Sequence, residues 1–342
     1  MLISASQYCG VDTLLAALRS AAEPTRLRLL ALLSHGEATV SELCRMLGQS
    51  QPRVSRHLKL LTDGGLVARI PEGSWVFYRL ADTPLAKSIF QKVLQHIDPT
   101  DARLRSDTER LQAVREQRTA SAQLYFRSAA DNWRAIRSLH VHEAEVEREI
   151  QGALGDASFT SLLDIGTGTG RMLQLLGPRV DAALGVDTSH DMLRIARESL
   201  EQSVLPHVQA RYGDMYCLAS PSQAHDLVLI HQVLHYADDP LAVIAEAARV
   251  LQTGGQLLIV DFAPHELEEL RDSHQHRRLG FADQEVLAWT SQCGLEGRVV
   301  SRLPGQALTV VLWLCSNPRP RRPQCHRKNL RQTDVQNHYG PI

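Results

Sequence analysis

At 342 residues the chain exceeds what one hydrophobic core usually supports, which predicts two domains. Its 44% apolar and 22% charged residues exclude wholesale disorder and collagen-like or coiled-coil architecture. The net charge of −1 hides an asymmetry: residues 1–97 hold 11 Lys and Arg against 7 Asp and Glu, residues 315–342 hold 6 against 1, and the stretch between holds 20 against 30. A basic front on an acidic body points the first segment at an anionic partner.

No apolar run reaches the roughly 18 residues of a membrane span, so no membrane partner is expected. The opening MLISASQYCG lacks the basic and apolar regions of a secretion signal. Six cysteines lie scattered without C-x-x-C spacing, so a cytoplasmic protein with neither a disulfide framework nor a metal site is expected.

In chain order, Pro24 with Leu27, Leu30 and Leu33 predicts an amphipathic helix over 22–33. Thr39 or Ser41 can cap a second helix that runs to Leu47 and is stopped by Gly48. Ser50 caps a third, with Pro52 in its first turn, where the missing N–H leaves no helical bond unmade. Val54, Leu58 and Leu61 fall at i, i+4 and i+7 and must face inward. That puts Gln51, Arg53, Ser55, Arg56 and Lys59 on the outward side. Residues 66–70 and 75–80 read as two strands joined by a Pro-Glu-Gly-Ser turn. Helix, tight turn, helix and β-hairpin make a winged helix-turn-helix. Its outward row suits a recognition helix in the major groove of operator DNA, with Arg69 and Arg79 on the wing against the backbone.

Leu85, Ile89, Val93 and Ile97, widened by Phe90 and Leu94, form a broad apolar stripe. It predicts a homodimer interface, with packing on its own domain as the plainer reading. Residues 98–123 are rich in both charge signs and read as a solvent-bridging helix or linker. Residues 124–154 are helical again, with Tyr125 and Trp133 as candidates for a lid. The expected domains are therefore 1–97 (winged helix), 98–154 (helical linker and lid) and 155–314.

From Thr160 the chain alternates strands at 161–166, 182–187, 208–214, 226–231 and 255–262 with helices at 171–176, 191–201 and 240–251. Strict alternation predicts an α/β domain with a Rossmann-like, doubly wound parallel sheet. Residues 297–301 and 308–314 add an edge hairpin. His274, His276, Arg277 and Arg278 precede a helix capped by Asp283 and read as a solvated basic loop, or as contacts for an anionic substrate. Residues 315–342, rich in Pro and Arg, are expected to be a disordered basic tail.

The chemistry concentrates in Leu162-Leu163-Asp164-Ile165-Gly166-Thr167-Gly168-Thr169-Gly170. A strand ends in an acid and is followed by glycines at i, i+2 and i+4. A carboxylate ahead of the glycines repels a pyrophosphate but attracts a ligand carrying an ammonium and a sulfonium. Asp187, 23 residues on at the end of the next strand, is placed to accept hydrogen bonds from ribose hydroxyls. Asp214 can accept from an adenine amino group, and Met192 and Met215 offer soft surface to the ring. Together they describe a cavity for S-adenosylmethionine (SAM).

Residues 160–314 resemble a class I SAM-dependent methyltransferase, through that loop and through 226–240 (DLVLIHQVLHYADDP) and 249–255 (RVLQTGG). Residues 12–97 resemble ArsR-type winged-helix regulators through 23–27 (EPTRL) and 49–58 (QSQPRVSRHL). The resemblance implies that Asp164, Gly166, Gly168 and Gly170 line the methionine moiety, Asp187 the ribose, and Asp214 with Met215 the adenine. It also puts His231 near the transferred methyl. Many ArsR-type proteins sense metals through paired cysteines, but residues 41–46 hold Cys44 alone, so metal sensing is not expected. Residues 98–314 hold only Cys217 and Cys293, too few thiolates for arsenic methylation. The expectation is a regulator fused to a methyltransferase acting on a small-molecule acceptor, the rival being a non-catalytic SAM-sensing repressor. His231, His235 and Tyr236 are the candidate bases, and no catalytic residue is assigned.

Overall fold

The computed structural model describes residues 9–72, 74–81, 83–98, 100–129 and 142–318. Trp133, Cys325 and most of the basic tail lie outside the described residues. The N-terminal part comprises α1 (Val11–Ala21), α2 (Pro24–Leu33), β1 (Ala38–Thr39), α3 (Val40–Leu47), α4 (Gln51–Asp63), β2 (Val67–Glu72), β3 (Trp75–Leu80) and α5 (Pro84–Leu94). Thr39, rather than Ser41, caps α3 in a reciprocal box: Glu42 N–H donates to Thr39 Oγ1 (3.3 Å) and Thr39 N–H to Glu42 Oε2 (2.8 Å). Gly48 then ends the helix in the left-handed region at φ 63°. Val54, Leu58 and Leu61 on α4 are fully buried, and β1, β3 and β2 close an antiparallel sheet beside them.

On α5, Ile89 is buried in the N-terminal core, with Leu85 and Val93 packed against it, while Leu85, Phe90 and Val93, and Ile97 just beyond the helix, stay partly exposed. The more exposed apolar face belongs to α1, where Val11, Leu14, Leu15 and Leu18 are 74%, 38%, 39% and 42% exposed.

α6 (Ala102–Ala129) is one continuous helix of 28 residues, about 42 Å long. The charge-rich stretch is packed instead of solvent-bridging: Leu111 and Val114 enter the N-terminal core, and Arg28 grips the buried Asp107 through two bonds of 2.6 Å.

The C-terminal part comprises α7 (Glu143–Leu154), β4 (Phe159–Ile165), α8 (Arg171–Leu176), β5 (Val180–Asp187), α9 (His190–Gln202), β6 (Val208–Tyr212), β7 (His225–His231), α10 (Pro240–Val250), β8 (Leu251–Phe262), α11 (Glu269–Ser273), α12 (Asp283–Gln292), β9 (Glu296–Pro304) and β10 (Thr309–Ser316). The sheet runs β6-β5-β4-β7-β8-β10-β9, parallel from β6 to β8, with β10 antiparallel to both its neighbours. Consecutive residues alternate faces, so Leu162 joins the core beneath α7 to α9 while Leu163 joins the one beneath α10 and α12. The last strand passes the expected boundary at 314: Cys315 is fully buried, and Asn317 N–H donates to Gly255 O (3.0 Å). Asp283 does not cap α12, whose N-cap is Ala282; its carboxylate accepts from Trp313 Nε1 (3.1 Å) and pairs with Arg302.

The two parts meet in a buried ionic interface. Arg277 and Arg278, expected in a solvated loop, are 7% and 2% exposed. Arg277 pairs with Glu42 (3.2 Å) and Asp238 (3.1 Å); Arg278 pairs with Glu37 (2.8 Å), Glu72 (2.5 Å) and Glu285 (3.2 Å). Arg118 of α6 adds a bond to Glu42 (2.5 Å). Burial opposes charge on Glu42, but Arg277 and Arg118 outweigh it and hold its pKa down at about 2. Arg79, expected on DNA, faces inward to Glu37 (3.6 Å) and Glu285 (3.8 Å).

Candidate cofactor cavity and nucleic-acid interface

At the carboxyl ends of β4, β5 and β7 lies a cavity of ≈ 770 Å³, where open α/β sheets bind ligands. Of the residues expected there, Asp164, Gly166, Gly168, Asp187, Met192, Asp214, Met215 and His231 line it. Gly170 is not among them. At φ 79° it starts α8, and a Cβ there would lie 3.0 Å from Ala196 Cβ, so this glycine serves helix packing.

The loop is organised by the acids around it. Thr167 Oγ1 donates to the buried Asp164 Oδ2 (2.5 Å). Gly168 N–H donates to Asp187 Oδ2 (2.9 Å) and Ser189 N–H to Asp187 Oδ1 (2.8 Å). Burial pushes the Asp187 carboxyl above its usual range against the pull of these backbone donors. Gly166 and Thr167 N–H both donate to Val186 O (2.8 and 3.0 Å), and Gly170 N–H donates to Thr167 O (2.9 Å). Asp214 accepts from Tyr216 N–H (2.9 Å) and is exposed at the rim.

The far wall is aromatic. Tyr236 lines the cavity edge-on to Phe126 of α6, with ring centroids 5.1 Å apart. Burial pushes the Tyr236 phenol well above its ordinary range. His235 does not line the cavity. It is 2% exposed, and its Nδ1 lies 2.7 Å from the fully buried Asp261 Oδ1. Tyr125 stands against Phe126 at 5.4 Å, and burial raises its phenol to about 12.

The mouth is built from the N-terminal domain and α6. His35 from the loop after α2, and Gln112, Arg115, Glu116 and Ala120 from α6, complete the cavity. Arg115 binds His35 O, and a Cβ on Gly36 would lie 3.1 Å from Asp239 Cβ. Tyr216 OH accepts from Asp238 N–H (2.6 Å) and Asp239 N–H (3.2 Å), fixing the start of α10 at the rim. No local pattern marks these residues; only the tertiary fold brings them to one opening.

On the other surface, Gln51, Arg53, Arg56 and Lys59 are exposed along α4, Ser55 is half-buried, and Arg69 is exposed on β2. Lys59 pairs with Asp63 (2.7 Å) one turn on. Cys44 is half-buried against the N-terminal core, where burial raises its thiol. Among the described residues, no group of three or more His, Cys, Asp or Glu is placed to hold a metal ion, and no helix is long and apolar enough to cross a membrane.

Two family models match the chain: a methyltransferase domain over residues 163–259, and bacterial regulatory protein, arsR family, over residues 23–69. The arsenical resistance operon repressor of Escherichia coli (strain K12) is 40% identical over 94 residues, covering 27% of this chain and 74% of that protein. The uncharacterized methyltransferase YcgJ of Bacillus subtilis (strain 168) is 26% identical over 155 residues, 42% of this chain and 61% of that one. Phosphatidylethanolamine N-methyltransferase of Cereibacter sphaeroides is 38% identical over 101 residues, 29% of this chain and 49% of that one. The chain thus spans less than two thirds of either methyltransferase's length. With a winged helix-turn-helix matched over most of a repressor and a Rossmann-like sheet matched at its glycine loop, the chain belongs to the arsR family of bacterial regulatory proteins and carries a methyltransferase domain behind the regulator.

Proposed function

We propose that the chain is a cytoplasmic homodimer that binds operator DNA through α4 and β2, and that its second domain transfers a methyl group from SAM to a small-molecule acceptor. The observation that carries the SAM reading is the fate of the loop amides. Those of Gly166, Thr167, Gly168 and Gly170 are all donated within the protein, one of them to a carboxylate. A pyrophosphate needs such amides free, whereas a cationic adenosyl ligand is drawn to Asp164 and Asp187.

SAM supplies an electrophilic methyl on a sulfonium, a good leaving group, so the protein's work is alignment and the exclusion of water. Asp187 orders the loop through both carboxylate oxygens, whose remaining lone pairs can accept from ribose hydroxyls. Met192 and Met215 offer apolar surface to a purine, and Asp214 offers an acceptor at the rim. His231, on the cavity wall, presents an imidazole that could take an acceptor's proton. The uncovered face of α1 supports the dimer. The five described cysteines are free, in keeping with a reducing compartment.

Calorimetric titration tests the reading. SAM should bind, NAD should not, and Asp187→Ala should weaken SAM about 10- to 100-fold, from a lost charge-assisted pair of roughly 1.5–3 kcal/mol. Uptake of NAD in place of SAM would reject the proposal. One observation favours a second reading, SAM sensing without turnover: the regulator's own His35 lines the cavity. Formation of S-adenosylhomocysteine with cell extract supports the enzyme; SAM binding with no product and an altered duplex affinity supports the sensor.

A further inference from the structure

We infer that the methyltransferase domain holds the wing away from duplex DNA, and that the Glu268 carboxylate occupies the place of a DNA phosphate. The inference rests on the DNA-binding reading above. Glu72 and Ser74 flank the turn between β2 and β3. Ser74 gives both its donors to one anion: its N–H to Glu268 Oε1 and its Oγ to Oε2, each at 2.8 Å. A backbone amide and a hydroxyl gripping two oxygens of one anion is how polar residues of DNA-binding domains hold a backbone phosphate. Arg271 Nε backs the same carboxylate at 3.1 Å.

The other side of the turn is held as firmly. Glu72 accepts from Arg271 Nη2 (2.9 Å), Arg278 Nε (2.5 Å) and Leu279 N–H (2.6 Å), and the Arg271 guanidinium lies 4.4 Å from the Trp75 ring centroid. A wing bonded on both flanks is not free to follow a phosphate backbone, and the Glu268 charge repels one. Of the wing's two arginines, Arg69 stays exposed while Arg79 is turned toward Glu37 and Glu285. The clamp also touches the cavity wall through the main chain: Arg277 and Arg278 N–H both donate to the carbonyl of His235 (3.0 Å), the residue before cavity-lining Tyr236.

Phosphate contacts carry no sequence information, so a labelled duplex of random sequence, about 30 base pairs long, serves as the probe for the full-length chain. Fluorescence anisotropy is read across a salt series. Glu268→Gln keeps the size of a half-buried side chain and should tighten binding about 3- to 10-fold, steepening the salt slope by about one unit per released wing. Asp272→Asn removes an equal charge from an exposed position on α11 that does not touch the wing, and should change binding less than about 2-fold. Ser74→Ala loosens the clamp and removes a phosphate donor at once, so it should tighten wild-type binding less than Glu268→Gln does, and it should cancel part of the gain in the Glu268→Gln background. Equal effects of Glu268→Gln and Asp272→Asn, or no effect of Glu268→Gln, overturn the inference alone. Failure of every form to bind duplex overturns the DNA-binding reading together with it.

Discussion

Arg56 stands on the solvent side of α4, with Val54, Leu58 and Leu61 fully buried behind it. Its side chain can therefore be removed without opening the core, and Arg56→Ala should change stability by less than about 0.5 kcal/mol. On duplex DNA the same change should weaken binding. A phosphate contact would lower the salt slope by about 0.9, and a guanine contact would cost about 1–3 kcal/mol and relax base preference. Anisotropy beside a thermal melt checks both, and unchanged binding removes Arg56 from the interface. Helical spacing sufficed to sort this row into inward and outward residues. It could not do so for Arg79, Arg277 and Arg278, whose partners are set by the docking of two domains. Arg277 and Glu42 are separated by 235 positions, and no periodicity links them.

At the level of elements, the α/β alternation was legible because each parallel strand is buried on both faces and reads as an apolar run between helices. Short or late pieces were not. β1 has two residues and α11 has five, too few to show a period, and α6 looked unpacked because its two buried core residues sit among charges. A stripe on α5 cannot by itself reveal how much of it its own domain covers; Ile89 is buried there while Leu85 and Val93 are only partly so. Val11, Leu14, Leu15 and Leu18 on α1 fall at i, i+3, i+4 and i+7 and remain open. Sedimentation at micromolar concentration should find a dimer for the wild type and a monomer for Leu15→Asp/Leu18→Asp. Circular dichroism should be unchanged, because these side chains make little of the monomer's core. A variant that stays dimeric excludes α1 as the interface.

Across the whole molecule, the regulator and the methyltransferase domain are joined by charges that are costly to bury singly. Glu42 is the point where three elements meet: it completes the cap of α3, binds Arg118 of α6 and pairs with Arg277 from the C-terminal domain. Its pKa is depressed from 4.5 to about 2, so its contribution to stability is complete above pH 4.5 and is lost as pH falls toward 2. That displacement corresponds to about 3 kcal/mol, with about half remaining near pH 3. Glu285 shifts the opposite way, pushed up by burial and by Glu37, so the interface's total acid response is smaller than that of Glu42 alone. Comparing wild type with Glu42→Gln cancels the Glu285 effect, and Gln retains an acceptor for the α3 cap. Urea unfolding should show a gap of about 3 kcal/mol between the two proteins at pH 6, narrowing steadily below pH 4.5 as protonated Glu42 comes to resemble Gln. A gap that stays constant from pH 6 to pH 3 would mean that the two domains are held together without the Glu42 charge.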